Sequence, residues 1–73
     1  MSSFGIVLFY STNSAFQLEK ALRKAGIKAK LIPTPRSLSS DCGTALRFPW
    51  ENAELVNNTI VKLDLEVTGV HEL

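Results

Sequence analysis

The feature that most constrains this chain is the near-continuous apolar run from Phe4 to Tyr10, closed by the polar cluster Ser11-Thr12-Asn13-Ser14. A short run that is apolar at both parities and bounded by capping residues reads as a strand buried on both faces. Such a strand belongs in the middle of a sheet, so the rest of the chain must supply neighbours and cover. The run is far short of the about 20 residues that a bilayer span needs. No cationic residue precedes it apart from the terminal amine, so a signal peptide is not expected. The expectation is therefore a cytoplasmic protein with no membrane partner.

The remaining pattern supplies the cover. Ser11 or Ser14 caps a helix, with Ser14 at the third helical position in the first case and Gln17 completing a capping box in the second. Leu18, Ala21, Leu22 and Ala25 then form one apolar stripe, with Glu19, Lys20, Arg23 and Lys24 elsewhere, and Gly26 supplies a left-handed end. Ile27 to Ile32 alternates apolar and polar as a strand with one wet face, stopped by Pro33 and Pro35. A polar loop runs on to Gly43, and Thr44 to Phe48 reads as a short strand. Pro49 or Trp50 opens a second helix with Ala53, Val56, Ile60 and Leu63 on one face, Glu51 and Glu54 near its positive end and Lys62 near its negative end. Leu65 to Val70 reads as the last strand.

The order βαββαβ predicts an α+β, ferredoxin-like sandwich: a four-stranded antiparallel sheet ordered 4-1-3-2, with both helices on one face. The apolar first strand then falls in the centre, as its composition demands. The chain, 1–73, reads as a single domain.

Length bears on what else is needed. A domain of 73 residues buries only about 60–65% of the surface of its unfolded chain, so its stability is marginal without help. One cysteine excludes an internal disulfide, and one cysteine with one histidine leaves no set for a structural zinc. No cofactor is implied, and a homodimer is the expected supplement. With 45% hydrophobic and 21% charged residues and a net charge of +1, the chain is neither disordered nor built for nucleic acid, since its basic residues form no run.

The lone cysteine lies in Ser39-Ser40-Asp41-Cys42-Gly43, among turn-forming residues that favour exposure. In the predicted topology strands one and two are parallel, so the cysteine loop and the start of the first helix share one end of the sheet. A thiolate is the reactive form of cysteine, and at an ordinary pKa of about 8.5 only a few per cent is ionised at neutral pH. The unsatisfied N–H groups at Ser11 and Thr12, together with Arg36 and Arg47, could stabilise such an anion or bind a small one. Asp41 acts the other way unless it pairs with Arg36. Each residue also has a plainer reading: Ser39, Ser40 and Asp41 as turn formers, Gly43 as a positive-φ residue, Ser11 as a cap, and both arginines as surface. His71 reads as solvated rather than as a base, and Phe48 and Trp50 as core rather than as a platform for bases. No catalytic constellation emerges, so an enzymatic role extends at most to a carrier or transferase accessory.

A likeness rests on Phe9, Ser11-Thr12, Ala15, Glu19-Lys20, Leu22 and Gly26-Ile27, then on Leu31 to Arg36 and Leu38 to Phe48. With these residues the chain resembles the small selenium/sulfur carrier protein-like domains over almost its whole length. Pro33 to Phe48 is the specific segment, and Asn13-Ser14 departs from the acidic or histidine residue common there. The resemblance implies that Cys42 carries sulfur or selenium as a persulfide or selenosulfide between a protein donor, such as a cysteine desulfurase, and an acceptor enzyme. Arg36 and the Ser11/Thr12 helix end would stabilise the charge, and Gly43 would give partners close access. The alternative is a non-catalytic small-ligand, anion-binding or protein-interaction module of the same fold, with an incidental cysteine.

Overall fold

The computed structural model describes residues 3–38 and 43–73. Its elements are β1 (Phe4–Phe9), α1 (Thr12–Lys24), β2 (Lys30–Pro33), β3 (Thr44–Pro49), α2 (Ala53–Lys62) and β4 (Val67–Glu72), with a 3-10 turn over Trp50–Asn52 leading into α2. The strands form one sheet in the order β2-β3-β1-β4, and each adjacent pair is antiparallel. This is the expected ferredoxin-like order read from the opposite edge.

Alternation along the central strand divides the core in two. Val7 and Phe9 of β1, with Leu46 and Phe48 of β3, pack against Leu18 and Leu22 of α1 and Val56 and Ile60 of α2. Both helices therefore cover the same face. Ile6 and Leu8 point the other way and form a second cluster with Ala45, against which Ile32 and Leu38 pack. Full burial of each Leu, Val or Phe contributes about 1.5–3 kcal/mol, so the helix face holds most of the stability.

Ser11 is the N-cap of α1, accepting a hydrogen bond from the Ser14 N–H at 3.4 Å. The buried stripe is Ala15, Leu18 and Leu22, while Ala21 is half-buried and Ala25 is exposed. The helix ends in a Schellman motif: the Gly26 N–H reaches the Arg23 carbonyl at 3.0 Å and the Ile27 N–H reaches the Leu22 carbonyl at 2.9 Å, with Gly26 at φ 82°. The end of α2 repeats this arrangement. Asp64 N–H donates to the Val61 carbonyl and Leu65 N–H to the Ile60 carbonyl, both at 3.1 Å, with Asp64 at φ 53° in the glycine's place.

Those two motifs move the boundaries of the strands that follow. The second strand starts at Lys30 rather than Ile27, and the fourth covers Val67–Glu72 rather than Leu65 to Val70. Ile27 and Leu65 belong to the helix ends and turn their side chains into the helix-side core. Pro33 joins β2 as its last residue, opposite Thr44, a position at a sheet edge where the missing N–H costs nothing. The third strand runs one residue further, to Pro49, and the Trp50 N–H donates to the Ser3 carbonyl at 3.0 Å.

Candidate functional site

The antiparallel pairing of β1 with β3 and of β3 with β2 makes β1 and β2 parallel. Their C-terminal ends share one end of the sheet, where α1 begins and the loop between β2 and β3 starts and finishes. The loop is pinned at its base by the Thr34 N–H donating to the Gly43 carbonyl at 3.0 Å. A turn follows, in which the Leu38 N–H donates to the Pro35 carbonyl at 3.0 Å. Arg36 sits in that turn and is exposed. Leu38 folds against Ile6, Leu8 and Ala45, so the described arm of the loop leans over the sheet face away from the helices.

Ser39, Ser40, Asp41 and Cys42 lie outside the described residues, and with them the expected proximity of the thiol to the start of α1. Gly43 is exposed, with nothing within 4 Å of a side chain built upon it. Ser11 is committed as a cap, its hydroxyl also lying 3.3 Å from that of Ser14, and Thr12 follows as the first residue of α1. Arg47 is half-buried on β3, with its guanidinium carbon 4.6 Å from the centre of the Phe4 ring. Phe4 opens β1, so this cation is directed toward the end of the sheet opposite the loop.

Phe48 is fully buried, and its ring stacks on Trp50 at 5.9 Å; both are core. His71 lies within β4, opposite Ile6. A side chain on Gly69 would come within 2.9 Å of the His71 Nε2, so the imidazole lies back over Gly69, one step nearer the loop end than its own Cα. Sequence reasoning singled out neither Leu38 nor Lys30, and it left His71 solvated. The signal available was parity: Lys30, Arg47, Ile6 and His71 occupy one lateral row of the sheet once its order is known.

Among the described residues no group of three or more His, Cys, Asp and Glu is placed to hold a metal ion. Among them, too, no helix is long and apolar enough to cross a membrane.

Fold and loop define a class: a ferredoxin-like α+β domain in which a polar loop, bearing the chain's lone cysteine, joins the edge strand β2 to β3. The family model described as "Putative Se/S carrier protein-like" matches residues 4–72, and the chain belongs to that family. No curated protein and no solved structure matches the chain. The family's description names selenium or sulfur as the cargo and so suggests protein partners for its transfer.

Proposed function

We propose that the protein carries sulfur or selenium as a persulfide or selenosulfide on Cys42, receiving it from one protein and passing it to another. The observation that carries this reading is the family match over residues 4–72, which takes in the loop and the chain's one cysteine. In the loading step the Cys42 thiolate attacks the terminal sulfur of a donor's protonated persulfide. The new bond to Cys42 forms as the donor's S–S bond breaks. The donor leaves as a thiolate, the proton stays on the transferred sulfur, and no net oxidation occurs. A single cysteine suits this task, because a second thiol in reach would discharge the persulfide as a disulfide.

Around the thiol, Arg36 supplies a cation from the same loop, and the N–H groups at Ser11 and Thr12 supply the positive helix end. Ser39, Ser40 and Asp41 adjoin the thiol in sequence, and the open space at Gly43 lets a partner approach. The reducing cytoplasm keeps such a thiol free between loadings.

The test is mass spectrometry of the protein, without reductant, after incubation with a cysteine desulfurase and free cysteine. The expected result is a gain of one sulfur atom on Cys42, or of one selenium atom when free selenocysteine replaces cysteine as the desulfurase's substrate, lost in Cys42→Ser. An unmodified Cys42 under these conditions would leave the non-catalytic binding module as the better reading.

A further inference from the structure

The outer side of the helix layer carries a groove that the core does not use. β3 is antiparallel to β1, so α1 and α2, each returning over the same face, run antiparallel to one another. Between them lies an open groove of about 370 Å³. Its apolar residues are within reach of a partner: Leu55 is 44% exposed and Leu63 42%, and Ala21 and Ala25 stand one turn apart on the α1 wall. On the α2 wall the Thr59 hydroxyl donates to the Leu55 carbonyl at 2.8 Å, so its one O–H is already engaged. Lys20 and Lys24 line the α1 side and Lys62 the α2 side. Among the described residues, none that lines the groove is acidic, and none of the three lysines has an ion-pair partner. The ion pair among those residues, Arg23 with Glu19 at 3.5 Å, lies outside the groove.

We propose that this groove is a docking site for an amphipathic helix of a partner protein, one that presents an apolar stripe flanked by carboxylates. Shape selects a helix. From Leu55 to Leu63 the groove runs about 12 Å, roughly two turns at 1.5 Å per residue, and anchors at i, i+4 and i+7 of an incoming helix span that length. Ala21 and Ala25 keep the α1 wall low, so the new helix can approach to the about 8–10 Å of packed helix axes. Charge selects the flanks. Ammonium groups stand on both walls, so carboxylates are matched on either side of the apolar stripe. Two of the lysines have a role without a partner: Lys24 and Lys62 close α1 and α2, where the carbonyl ends attract positive charge. Lys20 stands a full turn inside α1, beyond the reach of that attraction. A second copy of this chain fits poorly, because a two-fold axis through the groove would set both groups of lysines together with no carboxylate between them. A lipid surface takes up an apolar face that stands proud of its cations, whereas here the leucines lie in a groove between them. The site holds whether or not Cys42 carries sulfur.

The test is an NMR titration of the isotope-labelled full chain with a synthetic helical peptide carrying leucines at i, i+4 and i+7 between glutamates, and with a twin in which glutamine replaces each glutamate. Perturbed amides should centre on Ala21, Ala25, Leu55 and Leu63. The glutamate peptide should bind at least about tenfold more tightly than its twin at low salt, with a smaller margin at high salt. Lys20→Glu, which sets a carboxylate one turn from Lys24, should cost at least about tenfold of that affinity, and Leu55→Ala should weaken both peptides alike. Lys30→Glu on β2 should leave both unchanged. Lys20 and Leu55 are exposed, so these variants keep the fold. Equal affinity for the twins, perturbations centred on β2 or β4, an affinity untouched by Lys20→Glu, or no binding up to millimolar peptide would overturn the proposal. So would cosedimentation with phosphatidylserine vesicles that Lys20→Glu abolishes, which would make the occupant a lipid surface. A concentration-dependent dimer lost in Leu55→Ala would overturn it too, in favour of a second copy.

Discussion

On one side of the sheet Val7, Phe9, Leu46 and Phe48 lose all exposure beneath two helices, while on the other Ile6 and Ala45 lose all of theirs with no helix above them. The first side is sealed by regular elements that pack Leu18, Leu22, Val56 and Ile60 into a continuous interior. The second is roofed in part by Leu38, one arm of a loop, and by Ile32. Equal burial thus rests on unequal foundations. Removing a helix from the first side means unfolding the protein, whereas the described arm of the loop on the second side is tied by the Thr34–Gly43 hydrogen bond and by the packing of Leu38. Elements that move on binding are drawn from the part of a fold with fewer contacts, and among the described residues the helix-free side has the smaller cluster.

The sharpest way to break this comparison is to add one carbon to the sealed side. Gly5 faces the helices, and a Cβ there would lie 2.5 Å from Phe48 Cζ and 2.5 Å from Trp50 Cε3. Both atoms belong to stacked rings set in the core, so neither can swing away. Gly5→Ala should cost about 1–3 kcal/mol by overpacking, which in a domain of this size lowers the melting temperature by roughly 4–8 °C per kcal/mol. Thermal unfolding followed by circular dichroism measures it. A variant that melts with the parent would mean that the helix side is as yielding as the other.

The same division explains what could be read from the residues alone. Ile6 to Phe9 announced a central strand because both of its parities are apolar, and the sheet order follows from that with the βαββαβ sequence of elements. Ile27 and Leu65 misled twice for one reason. An apolar residue just after a left-handed position looks like the first residue of a strand, yet in a Schellman motif it belongs to the helix behind it. Here each one's N–H is bonded into its own helix. Asp64 hid the second motif, since glycine rather than aspartate is the usual sign of a left-handed end. The row of Lys30, Arg47 and His71 was not legible, because a lateral row draws on strands scattered along the chain and exists only once register is known. Arg47 illustrates the gap: sequence proximity assigned it to the cysteine loop, and the structure sets its guanidinium against Phe4.

A smaller effect is expected where the roof meets the floor. Leu38 is half-buried on Ile6, Leu8 and Ala45, so Leu38→Ala should cost about 1 kcal/mol, below the 2–5 kcal/mol of a fully buried leucine. Its more telling consequence is local. The Thr34 amide is held by the Gly43 carbonyl at the base of the same loop, and its hydrogen exchange should accelerate in Leu38→Ala while amides of α1 slow or quicken only with global stability. Equal acceleration at Thr34 and in α1 would show that the loop is as firmly part of the core as the helices are, and the contrast between the sides would vanish.

The smallest effect belongs to the glycine that mirrors Gly5 on the helix-free side. A Cβ on Gly69 would come 2.9 Å from the His71 Nε2, an approach nearly as close as those at Gly5, yet the neighbour is the far end of an exposed side chain. The imidazole can rotate toward solvent, and replacing glycine in a strand by alanine recovers about 0.5–1 kcal/mol of backbone entropy. These two terms oppose each other, so Gly69→Ala should stay within about 0.5 kcal/mol of the parent, while the His71 ring resonances shift as the imidazole leaves its place over β4. Set beside Gly5→Ala, the pair isolates the face as the variable, since each substitution adds the same atom to a strand of the same sheet. If Gly69→Ala proved as damaging as Gly5→Ala, His71 would have to be held in place as rigidly as Phe48. The two faces would then be equally rigid, and the contrast between them would fail.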